Sequence, residues 1–350
     1  MSTALQRLLH PAGTLTLGLE LPLDNDWGPA RLRRDQAVGR PFGVPDLSSH
    51  AERAALADRL GFAALWVRDV PLYDPVRFGD AGTVFETFTH LGHLAAVTER
   101  AVLGTAAVVL PLRKPLLVAK AAATVDQLSG RRRGPAGRFV LGVAGGDRPV
   151  EYPLFGEDFD RRTLTFRENL SVVRQAWRIP PTGRGITATG LGLEAERQLA
   201  VLPKPFNGSI PVVVAGRAGQ NLDWLAAHVD GWFNYPRDPK AAAGHVASWR
   251  AATESAQLPA RPYLTPMLLD LTENPDTPPS PIRLGLRTGR HALVDHLRAM
   301  SDLGVAHLSL SLRPGDRPVE EVMRELAEEV LPHFPTPDTA PAPASAPAPH

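Results

Sequence analysis

The chain has 350 residues, 43% of them hydrophobic and 21% charged, with a formal net charge of +1 and no cysteine. Such a chain can bury a sizeable core, and its charge balance gives no electrostatic case for nucleic acid or a membrane surface. Disulfides, thiolate metal sites and thiol nucleophiles are excluded, and the absence of a ~20-residue apolar run or a secretory leader points to a soluble cytoplasmic protein.

Apolar runs and helical periods alternate eight times. Strands are expected at Leu15–Leu21, Ala63–Val67, Ala101–Leu110, Arg138–Ala144, Ile210–Ala215, Gly231–Asn234, Tyr263–Leu271 and Ala306–Leu312. Helical periods fall at Ser48–Leu60, Val84–Thr98, Pro115–Leu128, Thr163–Trp177, Gly219–His228, Pro239–Ala256 and His291–Leu303, with a last helix at Pro318–Phe334. The stretch Leu103–Gly130 shows the unit best. A β-branched run is stopped by Pro111, which cannot donate to a ladder, and a 3.6-residue period then runs to Gly130. Eight such repeats predict a parallel sheet closed as a TIM (β/α)8 barrel with insertion loops. An open doubly wound sheet would want a glycine fingerprint after the first strand, and Leu21–Pro29 carries none.

Residues 1–334 thus read as one barrel domain. Residues 335–350 read as a disordered Pro/Ala-rich tail. Two internal segments are long for such a barrel. Ile179–Ser209 is rich in Gly and Pro, and Thr272–Gly289, which follows the seventh strand, is expected to be a mobile cover. The basic run Arg131–Arg133 lies between glycines in a loop and reads as a solvated connection.

Barrels of this kind place their chemistry at the strand C-termini. Those positions hold no GxSxG elbow and no closely spaced acid pair, so hydrolytic machinery is not expected. His90 and His93, one helical turn apart, read as packing rather than as a metal site. Few acid–base residues together with exposed-backbone glycines suit a bound cofactor that carries its own chemistry. Gly145 and Gly146 follow the fourth strand, where they serve either a turn or a close approach to a planar ligand. Gly216, Arg217, Ala218, Gly219 and Gln220 follow IPVVVA and open a helical pattern. They form either an anion site, with Arg217 adding charge, or a plain helix entry.

The segments TAAVVLPLR (Thr105–Arg113), DQLSG (Asp126–Gly130) and RFVLGV (Arg138–Val143) resemble those of the bacterial-luciferase-like flavin oxidoreductases. The resemblance extends through LTLGLELPL at Leu15–Leu23, LGFAALWVRDVPLYDP at Leu60–Pro75 and GGDRPVEYPLFGEDFDRR at Gly145–Arg162. It continues in LPKP at Leu202–Pro205, WLAAHVDGWFNYPR at Trp224–Arg237 and EEVLPHFP at Glu328–Pro335.

That resemblance implies an FMN-dependent monooxygenase acting on a small organic substrate with O2, its reduced flavin supplied by a separate reductase. It leaves two alternatives: F420-dependent hydride transfer on the same fold, and flavin binding without turnover. It implies a phosphate site at Gly216–Gln220 and a ring lying against a non-proline cis peptide at Ala106–Ala107, flanked by Gly145, Gly146, Arg148 and Tyr152. Relatives often carry Ser or Thr where Arg217, Ala218 and Gly219 stand, and a histidine where this chain reads Arg68-Asp69-Val70-Pro71. Asp69 and Tyr73 are therefore the substrate-side proton-transfer candidates. For Asp69 the alternative is an ion pair with Arg68, Arg113 or Arg148. A homodimer pairing Val84–Thr98 with Pro115–Leu128 is also implied.

Overall fold

A computed structural model describes residues 3–23, 29–41, 43–74, 84–130, 137–178, 200–235 and 238–337. Eight parallel strands follow one another around a closed sheet. They are β1 (Thr16–Leu21), β2 (Ala64–Val67), β3 (Val102–Thr105), β4 (Phe139–Ala144), β5 (Val212–Ala215), β6 (Gly231–Phe233), β7 (Tyr263–Leu271) and β8 (Val305–Ser311). Each pairs with its successor, and β8 closes the ring: Leu308 stands beside Leu17 of β1 and beside Thr265 of β7.

Around the strands lie α1 (Pro29–Ala37), α2 (His50–Leu60), α3 (Thr87–Val97), α4 (Pro115–Gly130), α5 (Arg162–Trp177), α6 (Leu222–His228), α7 (Pro239–Ser255), α8 (Arg290–Leu303) and α9 (Val319–Glu325). None of the described helices is long and apolar enough to cross a membrane.

Three expectations need correction. The run predicted as one strand from Ala101 to Leu110 divides. After β3 the peptide bond Ala106–Ala107 is cis, as the resemblance implies, and Val108–Val109 then pairs separately with Val143 and Ala144 of β4. The last helix is not uniform: α9 gives way to a π-turn at Leu326–Val330 and a 3-10 turn at Leu331–His333. Pro332 accounts for this, since it has no N–H for the ladder and crowds the preceding carbonyls.

The segment Thr272–Gly289 is tied down rather than loose. Gly285–Thr288 adds in parallel to the upper half of β7, and Ser280–Ile282 folds back on it as a hairpin. Just past residue 334, Thr336 Oγ1 donates to the Gly61 carbonyl at 2.8 Å. The expectations for Arg131–Ala136, for residues 179–199 and for the tail from residue 338 lie outside the described residues.

Strand parity divides the core. Leu17, Leu19, Leu65, Leu103, Leu141, Val214 and Leu308 face the helices, while Ala64, Trp66, Val102, Val140, Val213, Phe233 and Leu264 fill the barrel interior. Ala4, Leu5 and Leu8 of the N-terminal segment plug the interior from below. Trp66 Nε1 donates to His307 Nε2 at 2.9 Å. Thr16 Oγ1 donates to the Leu8 carbonyl, so its oxygen accepts from His307 Nδ1 at 2.8 Å. Those partners fix the Nδ1–H tautomer, and complete burial presses the ring's pKa down to about 3. The indole fits only because Gly104 has no side chain; a Cβ there would stand 2.3 Å from the Trp66 ring.

Gly104→Ala should therefore cost about 1–3 kcal/mol of stability in urea unfolding, and adding Trp66→Phe should recover part of the loss. Wild-type stability in the single variant would show that the indole moves aside freely. The buried imidazole adds a pH dependence. Unfolded His307 takes a proton near 6.5 while the folded ring stays neutral, so its contribution is full above that pH and is lost as pH falls toward 3. Thermal melts across this window should fall less steeply for His307→Gln than for wild type; equal slopes would remove His307 from the account.

Candidate active site

Above the packed interior, at the C-terminal ends of the strands, lies a cavity of about 500 Å³. That size suits a small-molecule or cofactor site. One wall carries very small side chains: Ala106, Ala107 and Val109 from the β3 end, with Ala144, Gly145 and Gly146 from the β4 end. Facing contributions come from Phe233, Pro266, Leu268 and Leu284. Leu284 and Arg283 belong to the turn of the Ser280–Thr288 hairpin, so the expected cover does border the cavity, as a fixed wall.

Gly146 is required on two counts. Its φ is +73°, and a Cβ would lie 2.7 Å from Val109 Cγ1 and 2.8 Å from the Tyr152 hydroxyl. The turn after β5 is tight, with positive φ at Gly216, Ala218 and Gly219. Its helix begins only at Leu222, and the first turn of that helix is already capped by the Asn221 side chain, which accepts from Trp224 N at 2.8 Å. The expected helix-start site is thus corrected. An anion here would meet the turn Gly216–Gly219 with Arg217, while the Asn221 side chain already takes the Trp224 N–H of the α6 terminus.

The sequence-derived residues separate into lining and support. Asp69, Ala106, Ala107, Gly145, Gly146, Arg148, Gly216, Arg217, Ala218 and Gly219 line the cavity. Gln220 supports it from behind: its amide donates to the Thr163 and Ala218 carbonyls at 3.0 and 2.9 Å, and its oxygen accepts from Arg167. Tyr152 also acts from behind, buried and donating to the Gly145 carbonyl. Tyr73 is 43% exposed and does not line the cavity.

Of the two readings open for Asp69, the ion pair is the one observed, with Arg113 as partner. Arg113 donates from Nε at 2.9 Å and from Nη2 at 2.6 Å, while Thr87 Oγ1 and Val109 N donate at 3.0 and 3.1 Å. Four donors fill the acceptor positions of the carboxylate. Asp69 therefore clamps the loop after β2 to the segment beyond Ala107.

Residues not singled out from sequence complete the mouth. Glu20 of β1 receives Arg68 and Arg313, each at 2.9 Å, so one carboxylate joins three neighbouring strand ends. Strand parity was the available signal, since Glu20 shares the inward face of β1 with Thr16 and Gly18. Arg162, at the start of α5, stands over the Phe159 ring at 3.7 Å and also lines the cavity. Arg217 has no side-chain hydrogen bond or ion pair among the described residues, leaving a cation at the turn that carries Gly216 and Gly219.

Residues 29–269 match the family model for luciferase-like monooxygenases. The chain belongs to that family. Among curated relatives, it is 28% identical over 221 residues to the Mycobacterium tuberculosis protein named "Putative coenzyme F420-dependent oxidoreductase Rv3520c", covering 59% of this chain and 56% of that one. It is 31% identical over 179 residues to the pyrimidine monooxygenase RutA of Cronobacter sakazakii, covering 49% of each. The chain thus spans about half the length of these relatives. Among solved structures, monooxygenase RslO1 from Streptomyces bottropensis superposes with a TM-score of 0.65 at 20% identity, over 91% of this chain and all of that one, which shows the shared barrel.

The site fits what a luciferase-like oxidoreductase needs to hold a flavin-type group. A wall without bulky side chains faces an apolar one, and cations gather where one edge of the cavity meets the turn after β5. Arg217→Ala should therefore weaken FMN binding by about tenfold, roughly 1.5 kcal/mol for a charge-assisted contact, and leave riboflavin nearly unaffected. Calorimetric titration of both ligands checks this, and equal losses would remove Arg217 from the phosphate.

Proposed function

We propose that this chain is an FMN-dependent monooxygenase that oxidises a small organic substrate with O2, taking reduced flavin from a separate reductase. The observation that carries this reading is the cavity itself. It joins a small-residue wall at Ala106–Ala107 and Gly145–Gly146 to a cationic corner at Arg162 and Arg217, within a family of oxidoreductases. Bound reduced FMN would supply the electrons for oxygen activation. The protein supplies position and dryness. Gly216, Ala218 and Gly219 shape a turn next to Arg217 for the phosphate, and Phe233, Pro266 and Leu268 keep the opposite wall apolar. Asp69 holds Val109, and with it the segment against which a ring would rest.

F420-dependent hydride transfer is the second reading, favoured by the name of the M. tuberculosis relative. A small wall suits the deazaflavin ring equally, and the additional arginines near the mouth suit a longer anionic tail. The substrate in either case is a small organic molecule, since the cavity must hold it beside the ring.

The identity of the co-purified cofactor tests the proposal. FMN, released and identified by mass, together with substrate-dependent oxygen uptake under reduced flavin, is the expected result. F420 with substrate reduction or oxidation in the absence of oxygen uptake would transfer the assignment to the second reading. Flavin binding without any turnover over a substrate panel would leave a flavin carrier.

A further inference from the structure

Glu151 is the one carboxylic acid of the cavity wall with a buried oxygen that accepts no hydrogen bond among the described residues. It is 2% exposed and lines the cavity with Gly146 and Ala107. The chain turns sharply to place it there. Glu151 N donates to the Arg148 carbonyl at 3.1 Å, and the next residue, Tyr152, donates to the Gly145 carbonyl. Arg148 Nη1 donates to the Leu72 carbonyl at 3.1 Å and stands 3.6 Å from Glu151 Oε1, an ion pair too long to be a hydrogen bond. With one cation near it and no hydrogen bond to that oxygen, little offsets the cost of burying the charge of this carboxyl.

We infer that Glu151 is the proton-holding residue of this site, keeping one proton at the cavity wall and releasing it to the reacting groups. The inference rests on the oxidoreductase reading above. Both cofactor readings create the demand. Reduced flavin anion, O2 and substrate give oxidised flavin, oxygenated product and water only by consuming one proton. Hydride transfer from reduced F420 anion to a carbonyl carbon likewise needs one proton on the oxygen to give the alcohol. In either case the O–H bond of the Glu151 carboxyl breaks, its electron pair stays on the carboxylate, and solvent reprotonates it between turnovers.

Burial favours the protonated form over the pull of the nearest cation, Arg148. Burial is the largest influence and raises the pKa above 4.5, and Asp147 on the same loop with Asp69 and Asp74 after β2 push the same way. Arg148 opposes them. Asp69, with all its acceptor positions filled, is unsuited to the task that Glu151 is free to perform.

The test uses the intact protein with FMN bound, or F420 if that is what it retains, and follows the visible absorbance of the ring as pH is varied. Wild type should show a single spectral transition with its midpoint above 4.5, and Glu151→Gln should lack it while binding the cofactor within about threefold of wild type. Glu151→Asp should keep the transition at a shifted midpoint. That variant also decides the matter if the glutamine variant does not fold, since an unshifted midpoint in Glu151→Asp contradicts the inference. Identical transitions in wild type and Glu151→Gln overturn it. Failure of wild type to bind either cofactor instead defeats the functional reading, and the inference with it.

Discussion

The contact on which the architecture turns is the hydrogen bond between Trp66 and His307 across the barrel interior. It takes the bulkiest side chain of β2 inward, where Gly104 and Gly18 make room for the two rings. Both ring nitrogens of His307 are then satisfied, so a polar side chain can be fully buried without leaving an orphaned group. With Phe233 beside the indole and Leu5 and Leu8 beneath, the lower barrel is full. The cavity at the strand ends lies above this layer. The mouth is open because the floor is packed.

Charge organises the mouth. Glu20 gathers Arg68 and Arg313, and Asp69 takes Arg113, so two carboxylates join strand ends and loops that the backbone ladder no longer connects. Removing one member of such a buried pair strands the other, at a cost of roughly 3–5 kcal/mol, so these groups fix the shape of the wall. What remains for chemistry is what those networks leave over: Arg217 and Arg162 at one corner and the carboxyl of Glu151 on the wall. On the proposed reading, a site of this composition would bind and orient, supply a proton and exclude water, leaving electron transfer to the molecule it holds.

The barrel was legible in the sequence because a buried parallel strand leaves a continuous apolar signature and an amphipathic helix a 3.6-residue one. Seven of the eight strand segments are matched to within two residues at either end, and the departures have local causes. The β3 run continues its apolar composition straight through Ala106–Ala107, so composition alone does not mark the break; the family resemblance placed it. Pro332 disturbs the last helix in a way that apolar spacing does not record. The hairpin after β7 looked like a loop because Pro275, Pro278, Pro279 and Pro281 obscure the short strands that border it.

For the site, backbone-governed positions such as Gly145, Gly146 and Gly216 were readable as turns or close approaches after buried strands, and all three line the cavity. Partner choice was not. Nothing local told Asp69 which of three arginines it would meet, as Arg113 is 44 positions away in the chain. Glu151 sat within a recognised family segment, but its burial with one oxygen accepting no hydrogen bond exists only once the loop after β2 and the turn after β4 are brought together.

The central claim is that the cavity at the strand ends holds a flavin-type ring with its phosphate at the turn after β5. A crystal structure of the protein grown with saturating FMN or F420 tests it most directly. The account expects density for a tricyclic ring lying against Ala106–Ala107, with the phosphate beside Gly216, Arg217 and Gly219. A ring bound elsewhere on the molecule, or a reversed pose with the phosphate away from that turn, would contradict it.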